Sequence, residues 1–221
     1  MMRKFLSLFL CGLCLGLAGC GADIPSESGA DTAGASGSAS ASAPTDASNQ
    51  ADTDLLSGQH HVVITVQDYG DIAVELDADT APITVTNFIN LAEEGFYDGL
   101  TFHRIIDGFM IQGGDPNGNG TGGSSQTIQG EFSDNGIENN IAHDRGVISM
   151  ARSSDYNSAS SQFFIVQQDS PHLDGQYAAF GHVTSGMEIV DQICENTPVQ
   201  DANGTVESDA QPVIQSITVI D

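Results

Sequence analysis

Arg104 stands in the segment Phe102-His103-Arg104-Ile105-Ile106-Asp107-Gly108-Phe109-Met110-Ile111-Gln112-Gly113-Gly114-Asp115. It is one of five basic residues in a chain with thirty carboxylates. A guanidinium among closely spaced apolar residues, with the Gln112 amide nearby, places one strong donor beside an apolar wall. Such a site can grip a hydrophobic ring and act on the polar atom next to it. A proline ring and its amide nitrogen have that form. Rotation about an X–Pro bond meets a resonance barrier of roughly 18–20 kcal/mol, and unaided it takes roughly tens to hundreds of seconds. No bond to carbon is made or broken. A donor aimed at the nitrogen favours the twisted state, in which the lone pair returns, over either planar form. Neither a metal, a cofactor nor a nucleophile is needed.

Two further blocks accompany this segment. Ser149-Met150-Ala151-Arg152 leads through Ser158-Ala159-Ser160 into Ser161-Gln162-Phe163-Phe164-Ile165, and Leu173-Asp174-Gly175 precedes Phe180-Gly181. In order and spacing the three blocks resemble the cyclophilins, the peptidyl-prolyl cis/trans isomerases. The resemblance runs from about His60 to the C-terminus. It implies a closed eight-stranded β-barrel capped by two helices. It also implies Arg104 as the catalytic donor and Phe109, Met110, Phe164 and Leu173 as the proline pocket. Gln112 would position Arg104 and the peptide backbone, while Ala151, Arg152 and Gln162 would line the groove for residues before the proline. His172 takes the place of the family's pocket-rim Trp, and Tyr177 that of its pocket His. Tyr still presents a ring and a hydroxyl, so isomerisation should survive. Cyclosporin, which uses the Trp donor in the family, should bind weakly. His103 follows the opposite side of an extended chain from Arg104 and is expected to be structural.

The implied partners are proline-containing segments of unfolded or secreted proteins, handled by a monomer without cofactor or metal. The competing reading is a binding module or chaperone that holds proline segments with little turnover. The pocket residues serve both readings, but Arg104 is needed mainly by the enzyme.

The elements that must position these residues are legible as short runs. Val62-Val63-Ile64-Thr65-Val66 and Ile72-Ala73-Val74-Glu75-Leu76 flank a turn and predict an opening hairpin. Pro82 near the start, Val85, Phe88, Leu91 and Ala92 at helical spacing, and Gly95 at the end predict a helix. Short strands are expected over 101–106, 110–113, 147–150, 163–166 and 179–183, a second helix over 185–194, and a closing strand over 213–220. Periodicity alone says mostly β with two helices.

The ends and the charge set the context. Arg3 and Lys4 precede an apolar run over 5–17, too short for a comfortable membrane span, and Leu17-Ala18-Gly19-Cys20 then reads as a bacterial lipobox. Residues 1–19 are expected to be a signal peptide, with Cys20 lipidated as the mature N-terminus. That makes the protein extracytoplasmic and lipid-anchored to the membrane. Residues 20–58, rich in Ala, Ser, Gly and Asp, are expected to be a flexible tether, and 59–221 the isomerase domain. Cys11 and Cys14 leave with the signal, so Cys194 is the one free thiol, expected in the core. Without Arg3 and Lys4, three arginines face thirty carboxylates, a net charge of −27. Such a balance excludes nucleic acid as a partner, since phosphate binding needs basic patches.

Three patterns imitate sites. Gly118-Asn119-Gly120-Thr121-Gly122-Gly123 satisfies a dinucleotide pattern without the strand–helix context. Asp115, Asn117, Asn119 and Gly120 imitate the start of an EF-hand loop, but its twelfth position is Gln126 and no helices are expected around it. His60-His61 could hold a metal but reads as a solvent-facing strand start.

Overall fold

The computed structural model describes residues 55–221; the signal, Cys20 and nearly all of the tether lie outside them. Eight antiparallel strands form one curled sheet: β1 (Gln59–Val66), β2 (Gly70–Asp77), β3 (Phe102–Ile106), β4 (Met110–Gly113), β5 (Val147–Met150), β6 (Phe163–Val166), β7 (Ala179–Ser185) and β8 (Ile214–Val219). Their spatial order is β3-β4-β6-β5-β7-β2-β1-β8. Two helices, α1 (Pro82–Glu93) and α2 (Met187–Asn196), complete the described fold. The opening hairpin pairs Val62 with Val74 and Ile64 with Ile72, so its β-branched residues share the buried face. Leu56 already packs on this core, and its N–H donates to Thr86 Oγ1 at 2.9 Å. The domain's contacts thus begin within the last residues of the expected tether.

Helix α1 fills the concave side of the sheet. Phe88 lies 5.1 Å from Tyr97, 5.4 Å from Phe163 and 5.2 Å from Phe180, ring centre to ring centre. Its residue before the first turn, Ala81, offers no capping side chain. The cap arrives from a distant loop instead. Glu131, 2 % exposed, accepts the N–H groups of Ile83 and Thr84 at 3.0 and 2.8 Å and the Thr84 hydroxyl at 2.6 Å. A carboxyl at that end satisfies donors that a helix start leaves unpaired. On α2, Val190, Ile193 and Cys194 are buried while Met187 is only partly covered. Burial and the nearby carboxylates of Asp107 and Asp191 push the Cys194 thiol up to about 12, so it is an inert core residue.

The sheet does not close. The expectation of a closed barrel requires a ladder between β3 and β8, but the two edges meet only at one end, through the isolated bridge Thr101 to Val213 and the hydrogen bonds from the Phe102 N–H to the Pro212 carbonyl at 2.9 Å and from the Ile214 N–H to the Leu100 carbonyl at 2.7 Å. The reason lies in the chain between α2 and β8. The Gly204 carbonyl accepts the Ile105 N–H at 2.8 Å, and the Val206 N–H donates to the His103 carbonyl at 3.1 Å. That loop therefore occupies the edge of β3 that β8 would need. Gly204 has φ +81°, and a Cβ there would clash with the Ile105 carbonyl oxygen, so the close approach requires glycine.

Candidate active site

The site is built on a row of three strands. Arg104 on β3 stands opposite Gln112 on β4, and Gln112 opposite Phe164 on β6. Directly paired residues point to the same face, so the donor, the amide and the aromatic ring are brought side by side by register alone. The period of two does the rest. Ile111, Phe163 and Ile165 join the main core, whereas Met110, Phe164 and Val166 form a second, smaller cluster with Val147, Leu173 and Ala179. Phe109, Ala151 and Tyr177 are only partly buried against that cluster and form its rim.

A cavity of about 210 Å³ opens over this cluster. Arg104, Gln112 and Arg152 line its polar side; Phe109, Met110, Ala151, Phe164, Leu173 and Tyr177 line the remainder. Two residues expected in the site sit slightly apart. Gln162 lines an adjoining cavity of about 300 Å³, which shares Gln112, Ala151 and Arg152 with the first. His172 packs on Phe109 with ring centres 5.4 Å apart and is outside the cavity lining.

Arg104 is held by neutral oxygens. Its Nη1 donates to Gln112 Oε1 at 3.1 Å, its Nε to the Asn203 carbonyl at 2.9 Å and its Nη2 to Asn203 Oδ1 at 3.3 Å. Gln112 in turn donates to Gln162 Oε1 at 2.9 Å, and Gln162 to the Gly122 carbonyl at 2.7 Å. Burial lowers the Arg104 pKa, with Tyr177 and Asp201 opposing; a guanidinium stays charged nonetheless. Among the three arginines of the described residues, Arg145 alone is paired with a carboxylate, Asp191 at 2.7 Å. Arg104 is therefore not the salt-bridged surface residue that thirty carboxylates would make the plain expectation.

Asn203 is the positioning residue that the sequence reading missed. The signal was present in Asp201-Ala202-Asn203-Gly204, a turn sequence. Asp201 accepts the N–H groups of Asn203 and Thr205 at 2.9 and 3.2 Å, which fixes the loop that carries Asn203 to Arg104. Nothing in the residue order places that loop beside β3.

Other constellations resolve as structural. His143 Nδ1 lies 3.0 Å from Asp174 and its Nε2 3.0 Å from Ser149 Oγ, a trio resembling a hydrolase triad. Ser149 is wholly buried, however, and lines neither cavity of the site, so no substrate can reach its hydroxyl. Asp115 staples its own loop, accepting N–H groups of Asn117, Asn119 and Gly120 at 2.8, 3.1 and 2.6 Å. Burial would raise its pKa, but these bonds outweigh it and hold the carboxyl below the usual range. His103 is the extra residue where the β3–β4 register shifts; it is buried, with neither ring nitrogen bonded. His60 and His61 pair with Asp221 and Glu75 at 3.0 and 3.3 Å. Among the described residues no group of three or more His, Cys, Asp or Glu side chains is arranged to hold a metal ion.

Comparison with known proteins identifies a family. The family model described as cyclophilin type peptidyl-prolyl cis-trans isomerase/CLD matches residues 61–219. Peptidyl-prolyl cis-trans isomerase B of Bacillus subtilis is 50% identical over 124 residues, covering 56% of this chain and 83% of that protein. A peptidyl-prolyl cis-trans isomerase of Helicobacter pylori is 48% identical over 126 residues, covering 56% of this chain and 74% of its own. A crystal structure of a Cryptosporidium parvum cyclophilin type isomerase superposes with a TM-score of 0.65 at 32% identity, covering 74% of this chain and 99% of that one. A second structure of that protein, in the presence of the dipeptide Ala-Pro, gives a TM-score of 0.64 at 34% identity. With its family model spanning nearly all of the described domain, this chain belongs to the cyclophilin-type peptidyl-prolyl cis-trans isomerases, an enzyme family.

Proposed function

We propose that the 210 Å³ cavity receives the proline ring of a peptide and that Arg104 donates to the prolyl nitrogen as the preceding bond twists. The observation that carries this reading is a charged guanidinium facing the apolar wall of the cavity, held by Gln112 and Asn203 and by no carboxylate. Planar amide nitrogen is a poor acceptor; the twisted state regains its lone pair, so the donor stabilises that state selectively. Phe109, Met110, Phe164 and Leu173 grip the ring and exclude water. Binding of Ala-Pro-type segments accords with the dipeptide present in the Cryptosporidium parvum structure.

A protease-coupled isomerisation assay tests the reading. Arg104→Ala should lower kcat/KM at least tenfold with the circular dichroism spectrum unchanged, since a transition-state donor contributes on the order of 1.4 kcal/mol or more. Undiminished activity in that variant removes Arg104 from the mechanism.

The clients belong to the same proposal: secreted or envelope proteins, met by a lipid-anchored enzyme outside the cytoplasm. Leu17-Ala18-Gly19-Cys20 supports it. Labelled fatty acid should enter the wild type and not Cys20→Ser; equal labelling of both counts against the anchor.

A further inference from the structure

Arg152 is the second arginine of the site, and the isomerisation chemistry leaves it without a task. It lines both joined cavities. Its guanidinium carbon lies 5.1 Å from the ring centre of Phe132, 4.8 Å from that of Tyr156 and 4.8 Å from that of Tyr177. Three aromatic faces around one cation fix its position and compensate part of its lost hydration. Among the described residues the guanidinium makes two hydrogen bonds, Nε to the Gln176 carbonyl and Nη1 to the Ser153 carbonyl, both at 2.9 Å. An arginine has five N–H donors, so three are left for a ligand, including both on Nη2. No carboxylate lies within salt-bridge distance.

The charge around it is as informative as the cage. The mature chain has three arginines against thirty carboxylates, yet two of the three line these cavities and no Asp or Glu does. The walls of the second cavity are otherwise small and polar, with Thr121, Ser153, Ser158 and Ser160 among them. A polar cavity beside the proline pocket, carrying one preorganised cation with free forked donors, has the chemistry of a carboxylate subsite.

We propose that Arg152 makes this isomerase selective for peptides bearing an acidic side chain within the two residues on the N-terminal side of the proline. The proposal rests on the isomerase reading, which places the residues before proline along Ala151, Arg152 and Gln162. The acidic remainder of the surface opposes such peptides only at a distance. At physiological ionic strength charges beyond roughly 8 Å are largely screened, whereas the contact with Arg152 is direct.

The test measures kcat/KM of the full-length chain, purified in detergent, on peptides carrying Glu, Gln or Lys at each of the two positions before proline. Glu should exceed Gln at one of them by about two- to fivefold, the range of a partly exposed ion pair, and Lys should fall below Gln. The preference should shrink as salt is raised. Arg152→Gln should remove the preference and Arg152→Glu should turn it toward Lys, whatever happens to the overall rate. Equal rates across the wild-type series, or a Glu preference that persists in Arg152→Gln, overturn the proposal. If neither variant folds, the wild-type series and its salt dependence decide. If no peptide is isomerised, the isomerase reading fails separately, and titration of the same peptides by NMR still reads the charge preference. Equal affinities would then overturn the Arg152 assignment.

Discussion

Strands β4 and β6 are apolar on both faces, and the two faces end differently. On the inner one, Ile111, Phe163 and Ile165 are fully buried, and every neighbour is supplied by the chain, Phe88 of α1 foremost. On the outer one, Met110 and Phe164 are nearly as buried, at 1 % and 5 % exposure, but one wall is missing and the cavity stands in its place. Burial alone does not separate core from site. What separates them is whether the packing is completed from within, and the Arg104–Gln112 pair marks the face where it is not.

The contrast is sharpest in adjacent phenylalanines. Phe163→Ala should cost about 3–5 kcal/mol of stability, as removal of a fully packed aromatic does. Phe164→Ala should cost less in urea unfolding but lower kcat/KM tenfold or more. If the two variants show the same balance of stability and activity loss, the two faces are not functionally distinct. A smaller effect is expected at Asn203. Asn203→Ala keeps the backbone acceptor of Arg104 and loses the side-chain one, so kcat should fall about two- to fivefold with KM little changed. A loss confined to stability would assign the loop a structural role only.

The smallest effect compares two buried histidines, His103 and His143. Burial lowers the pKa of His103, with Asp115 opposing and Arg104 adding. Burial likewise lowers that of His143, with Asp174 opposing and His172 adding. Both are neutral in the fold, and both bind protons more readily once unfolded. The stability they contribute is complete above the unfolded value of about 6.5 and declines as pH falls below it. Urea midpoints should therefore drop between about pH 7.5 and pH 5, and His103→Leu should flatten part of that drop. An unchanged slope in His103→Leu would show that this ring does not carry the effect.

Local elements were legible where side-chain period and pairing agree. The opening hairpin sits where β-branched runs around a turn place it, and β4, β5 and β6 where short apolar runs do, because each is half specified by its own residues. That Arg104, Gln112 and Phe164 lie together was legible through the resemblance, and register explains why they meet. Closure of the sheet was not legible. It depends on which segment reaches the free edge of β3, and the competition between β8 and the Gly204 loop is decided by contacts about a hundred residues apart. Asn203 was missed for the same reason. So was the aromatic setting of Arg152, whose three rings come from separate loops.

The loop that covers the edge of β3 also holds the Arg104 guanidinium, and this couples two properties usually considered apart. Irregular, short-range fastening opens at lower free energy than a continuous ladder does. Each such opening that frees Ile105 and Val206 also releases Arg104 from Asn203 while the rest of the sheet stays intact. Hydrogen exchange at those two amides thus reads out how often the guanidinium is released, and, on the role proposed for Arg104, tightening the loop should raise the active fraction without altering the cavity.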